Sequence, residues 1–244
     1  MTARPALLVG VDAPTHAGWR AEARVALAIA AKDALAELRG RHALVSAAFF
    51  AAITLLLFGL ALGPDARRLG EAAPGLLWLA IVFAGVLAIG RLHLLEADDD
   101  ALEQLALYPV ERRAIYLGKA LGGFAVMATL GVVLVAAVGV LYGVDVLAAA
   151  PPLLATIVLG VAGIAAVGTS YAGLTVRARA REVLLPLLML PALAPLLLAA
   201  VRATEAALAG DPFGELGAWL ALLTAFDVVM IAVGAATYGF VLEE

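Results

Sequence analysis

The side chains best suited to chemistry in this chain are acids, and they fall in two places. Asp227 stands alone near the middle of an apolar run, whereas Glu96, Asp98, Asp99, Asp100 and Glu103 crowd a polar insert running from Arg91 to Lys119. An acid at mid-bilayer depth costs roughly 2.5 to 3.5 kcal/mol, against roughly −3 to −5 kcal/mol from the Leu, Ile, Val and Phe residues around it. The run can therefore cross a membrane, provided Asp227 faces protein or water. Two roles fit it: a station in a pathway or gate, or a structural hydrogen bond to groups such as those near Thr169 and Ser170. In the insert, three successive Asp residues supply charge and acceptors where a short helix would begin, and Glu103 follows Asp100 at capping-box spacing. Leu102, Leu105 and Ala106 then make one narrow apolar face, and Pro109 ends it. Such a helix is too short to hold in water by itself, so it needs a surface: the bilayer interface, the rest of the chain, or another protein.

Other chemistries lack their residues. The chain has no cysteine, which excludes thiolate metal sites, disulfides and cysteine nucleophiles. His16, His42 and His93 are scattered with no ligand spacing between them, so no metal is expected here and haem ligation is poorly supported. The LGKALGG segment around Gly118 does not match a phosphate-binding loop, and no serine triad or catalytic carboxylate pair stands in a soluble context. Catalytic residues are expected to be none: the chain is no enzyme by itself, and energy for any work comes from a partner or an ion gradient. A net charge of −4 without a basic, aromatic-interleaved stripe excludes nucleic acid.

The elements that position these residues are membrane helices. The 244 residues are 64% hydrophobic, with mean hydropathy +1.04. Uncharged runs long enough to cross a bilayer extend over 42–64, 72–90, 120–144, 146–176, 183–201 and, broken only by Asp227, 218–240. The expected fold class is an all-α integral membrane protein of six transmembrane helices. Residues 1–41 form an N-terminal arm and 42–244 a permease-like domain holding the insert at 91–119. Within the arm, Ala21 to Leu38 predicts a helix with poorly separated faces, either interfacial or loose on the cytoplasmic side. Pro186, Pro191 and Pro195 should bend or break the fifth span. Four GxxxG pairs, Gly59/Gly63, Gly118/Gly122, Gly139/Gly143 and Gly210/Gly214, mark close packing only weakly in a chain with 24 glycines.

Basic residues orient the bundle. Of the sixteen Lys and Arg, all but Arg67, Arg68 and Arg202 fall on one side of a six-span topology: in the arm, in the insert (Arg91, Arg112, Arg113, Lys119) and in the loop bearing Arg177, Arg179 and Arg181 before Glu182. Basic flanks are retained in the cytoplasm, so both termini and the insert are expected there. The arginine loop would meet a partner protein or anionic lipid headgroups.

Taken together, the arm, the six spans and an insert ending in PVERRAIYLGK resemble the membrane subunit of type-2 ABC exporters. The stretch RAREVLLPLLMLPALAPLLLAAVRATEAAL from Arg179 to Leu208, AFDVVM around Asp227 and the terminal FVLEE narrow the resemblance to the CcmB family, haem exporter protein B of cytochrome c maturation. The resemblance runs from about Lys32 to Glu244. It implies a permease of the bacterial cytoplasmic (inner) membrane, in two copies, with a separate CcmA-like ATPase. CcmC-like and CcmD-like membrane subunits and a CcmE-like haem chaperone are the further partners. It implies ATP bound by the ATPase and haem as candidate cargo of the complex, with no cofactor held by this chain; Trp19, Trp78 and Trp219 do not make the tryptophan-rich haem motif of the CcmC-type subunit. Glu96, Asp100, Leu102, Glu103, Leu105, Pro109, Arg112 and Arg113 would then be the coupling contacts to the ATPase. Competing readings are a type-2 exporter of a lipid, drug or polysaccharide, a non-transporting scaffold, or a proton-driven carrier using Asp227.

Overall fold

The structure, a computed structural model of the chain, describes residues 19–40, 42–98, 111–175 and 181–241. Seven helices account for the regular structure of those residues: α1 (Trp19–Gly40), α2 (His42–Leu62), α3 (Ala66–Asp98), α4 (Arg112–Tyr142), α5 (Ala150–Thr175), α6 (Arg181–Leu208) and α7 (Leu216–Val241). The last six are each long and apolar enough to cross a membrane. The protein is thus an all-α multi-pass membrane protein, as the runs of uncharged residues predict.

The helix ends differ from the ends of those runs. α3 starts six residues before its apolar run because Asp65 caps it, its carboxylate accepting from the backbone N–H of Arg67 at 3.0 Å and of Arg68 at 3.3 Å. α4 starts at Arg112, so the insert's basic end is already helix. α6 continues to Leu208 with Pro186, Pro191 and Pro195 inside it, and the expected break is absent. Each proline deletes one backbone donor, but in a packed membrane helix neighbouring groups satisfy the freed carbonyls. Arg202 and Glu205, which the uncharged-run boundary leaves outside the span, form an i,i+3 ion pair at 2.9 Å on this extension. The true turn is short: Asp211, at φ 51°, accepts from the backbone N–H of Glu215 and Leu216 at 2.8 and 3.1 Å and so starts α7.

α3 and α5 are the inner helices, with 61% and 56% of their most apolar stretches buried, against 17% for α2 and 11% for α7. α5 touches α3, α4, α6 and α7, which makes it the axis of the bundle. Its glycines permit that. Gly160 lies flat against the Trp78 indole, and Gly168 faces Ile89 of α3 and Met189 of α6. Half of the eight GxxxG glycines serve otherwise: Gly63, Gly143, Gly210 and Gly214 all have positive φ and sit at helix ends or turns. Only Gly118 and Gly122 pack as a pair against another helix.

Candidate functional site

Chain order places the N-terminus of α2, the end of α3, the start of α4, the end of α5 and the start of α6 at one end of the bundle, called here the arm end. Of the expected coupling residues, Glu96 lies in the last turns of α3, and Arg112 and Arg113 open α4. Arg113 pairs with Glu111 at 3.5 Å, with both side chains partly exposed. Arg181 and Glu182 open α6. Asp100, Leu102, Glu103, Leu105, Pro109, Arg177 and Arg179 lie outside the described residues, as does the proposed short helix apart from Asp98, which closes α3.

The arm end is organised by α1, whose contact with α4 is the most extensive between any two helices described. Ala26, Ile29, Asp33 and Glu37 recur at three- and four-residue spacing and so share one face. A Cβ on Gly118 would stand 2.7 Å from Ile29, and one on Gly122 would stand 3.1 Å from Asp33. The step of four on both helices means that α1 runs parallel to α4, with backbones close enough that only glycine fits. The arm helix is therefore a docked part of the bundle, which settles the faces that the sequence leaves mixed.

Two acids on this face do distinct work. Asp33 receives Lys119 at 3.5 Å, and Lys119 is only 4% exposed although it precedes a long uncharged stretch. Lys32 joins Asp33 from the outer side at 2.9 Å. Glu37, 5% exposed, accepts the Leu44 N–H at 2.7 Å and thereby caps the first turn of α2. Asp33 and Glu37 thus tie α1 to α4 and to α2 at once. Sequence reading missed these roles because it left the faces of the arm helix unseparated and counted Lys119 only among the basic residues of the insert. The signal was available in the spacing of the two acids behind Ala26 and Ile29 and in the Gly118–Gly122 pair beside Lys119.

The second site is a polar seam inside the bundle. α7 packs through one stripe, Leu223, Asp227, Met230, Gly234 and Tyr238, and the acid occupies its middle. Asp227 is 6% exposed, and its Oδ1 has no hydrogen-bond partner among the described residues. A Cβ on Gly163 of α5 would lie 2.5 Å from that oxygen, with Leu196 of α6 filling the same corner. The expected hydrogen bond near Thr169 and Ser170 is not made. Ser170 donates instead to Ala166 O at 3.0 Å, and Thr169 Oγ1 is itself unpartnered. The reason is axial offset: Thr169 lies six residues beyond Gly163, roughly 9 Å along the helix. Between these levels enters Tyr116 of α4, whose hydroxyl donates to Ala166 O at 3.2 Å and approaches Met230 O at 3.5 Å. Its ring fits because Gly234 has no side chain, and it also leans on Tyr238, centroid to centroid 5.5 Å.

Comparison with known proteins adds a family to this geometry. The family described as CcmB protein matches residues 24–243. The chain is 30% identical over 200 residues to heme exporter protein B of Pseudomonas aeruginosa, covering 82% of this chain and 89% of that one. It is 32% identical over 200 residues to heme exporter protein B of Rhodobacter capsulatus, covering 81% and 89%. A shorter match, 38% over 71 residues, joins it to the protein of that name in Escherichia coli, covering 29% of this chain and 32% of that one.

Proposed function

We propose, because the chain belongs to the CcmB family, that it is the membrane permease of a haem-exporting ABC transporter, driven by ATP hydrolysed in a separate subunit. The observation that carries this reading is the match over residues 24–243, which embraces the docked arm helix, all six spans and the insert together. The geometry supports it in one further respect. Residues 91–98 of the insert belong to α3 and 112–119 to α4, so its two described ends are helical extensions of two spans, along which a force applied there would pass. The α1 contact stiffens the base of α4 against bending under that force.

In this reading the insert, with its acidic start and its Leu102 and Leu105 face, seats in a groove of a CcmA-like ATPase on the cytoplasmic side of the inner membrane. Closure of the ATPase dimer on ATP then moves α3 and α4 in each of two permease copies. CcmC-like and CcmD-like subunits complete the complex, and its product is haem delivered to, or released with, a CcmE-like chaperone. A strain lacking its own subunit should regain covalent c-type haem with this chain, and failure to do so would favour another cargo. Leu105→Asp, which charges the docking face, should lower ATPase co-purification and cytochrome maturation together. Unchanged co-purification would remove the insert from the coupling role.

A further inference from the structure

Tyr116 and Asp227 present a donor held by second-best acceptors and an acceptor with no donor, on one seam. O–H donors ordinarily sit about 2.7 to 2.8 Å from their acceptors. The Tyr116 hydroxyl is instead shared between two main-chain carbonyls at 3.2 and 3.5 Å, with the Ser170 hydroxyl beside it as a further hydrogen-bonding group. Those carbonyls belong to Ala166 and Met230, on α5 and α7, which run in the same direction because one further span separates them. Three residues earlier on each helix stand Gly163 and Asp227, whose backbone level is about 4.5 Å farther from the arm end than that of Ala166 and Met230, and the empty Oδ1 lies at that farther level. On α5 this interval is lined by Gly163 and Ala166, which carry almost no side-chain bulk, while Leu196 of α6 stands at its far corner. A buried acceptor left unpaired is costly, and packed interfaces relieve such costs by moving between discrete registers.

We propose that Tyr116 and Asp227 are the two halves of an interhelical latch. When α4 is driven away from the arm end by about one step of the seam, the Tyr116 hydroxyl leaves the Ala166 carbonyl and donates to the Asp227 carboxyl. α1 travels with α4, since Asp33, Lys119, Gly118 and Gly122 bind the two into one body. Leu196 shares the corner over Gly163 and holds the resting chain short of that register. A carboxyl oxygen accepts whether or not the group is ionised, so the latch needs a hydrogen-bond acceptor at position 227 and no proton movement. Asp227 is in this sense a positioning residue: it holds the driven state and touches no cargo.

The inference rests on the ATPase-driven reading, and the test separates the two. The full complex of this chain with its ATPase subunit, in lipid nanodiscs, is assayed for ATP turnover with Tyr116→Phe, Asp227→Leu, their double variant and Asp227→Asn. Each of the first two should lower kcat about five- to tenfold, the size of one buried hydrogen bond, with KM for ATP unchanged. The double variant should be no slower than either, and Asp227→Asn, which keeps an acceptor oxygen, should stay within about twofold of the unmutated chain. In the unmutated complex, a non-hydrolysable ATP analogue should shift the infrared band of Asp227, the C=O stretch if the acid is protonated or the carboxylate stretches if it is ionised, and Tyr116→Phe should abolish that shift. This second readout stands even if a variant folds poorly. Independent, multiplicative losses, an Asp227→Asn variant as slow as Asp227→Leu, or an unshifted band in an active complex would overturn the latch and leave the permease reading intact. A chain that binds no ATPase at all would overturn both.

Discussion

The two ends of the bundle are built on opposite rules. Away from the arm end, the large buried polar side chains have good partners: Trp78 donates to Thr204 Oγ1 at 2.9 Å, Thr204 donates on to Ala200 O at 2.8 Å, and Tyr142 donates to Leu55 O at 2.8 Å. Turns there are fixed by caps such as Asp65 and Asp211. Toward the arm end, a buried ion pair, a shared tyrosine hydroxyl and Thr169 Oγ1 occupy the interior, and Asp227 Oδ1 sits at mid-depth, neither oxygen having a partner among the described residues. Satisfied groups specify one packing, whereas half-satisfied groups in a low-dielectric interior leave alternatives within reach. One end is therefore an anchor, and the other is the side on which the proposed latch would change register.

Breaking that contrast begins with the ion pair. Asp33→Asn should cost about 3 kcal/mol, because it withdraws the carboxylate that faces a buried lysine. Lys119→Met should cost less, since Asp33 keeps Lys32 at 2.9 Å. Thermal unfolding in detergent measures both, and equal small losses would mean that the pair is solvated. Next comes a matched pair of glycines, since a Cβ at Gly160 collides with the Trp78 indole as one at Gly234 collides with Tyr116. Gly160→Ala should lose about 2 to 3 kcal/mol, within the range for overpacking a fixed core. Gly234→Ala should lose about 1 kcal/mol or less, because Tyr116 has a second position to take. Equal losses would erase the difference between the two ends. The smallest effect sharpens the anchor: Thr204→Val should cost about 1 kcal/mol by stranding the Trp78 N–H.

Much of this architecture was legible in the sequence, for a simple reason. A membrane interior demands long uncharged runs, and six of them are plain. The ends of the helices were not, because charge marks where the hydrocarbon stops and not where the backbone stops hydrogen bonding. Helix α3 thus runs on to Asp98 and α6 to Leu208, past Arg91 and Arg202. Of the bend or break expected from the three prolines of α6, the break is absent for a related reason: proline's penalty is local, and its relief comes from neighbouring helices that sequence does not display. Asp227 was legible as a buried acid, since an acid in an apolar run has few options. Its surroundings were not, because Gly163 and Leu196 come from two other helices. Tyr116 itself passed as an ordinary aromatic at the edge of the insert; only the missing side chain at Gly234 gives it a seat.

The central claim is that force enters this bundle at its arm end from the cytoplasm. Because the chain has no cysteine, Gln104→Cys places a single thiol in the insert. With a membrane-impermeant maleimide on intact spheroplasts, the account predicts no labelling until the membrane is opened. Labelling from outside would put the insert beyond the reach of any ATPase and contradict the account.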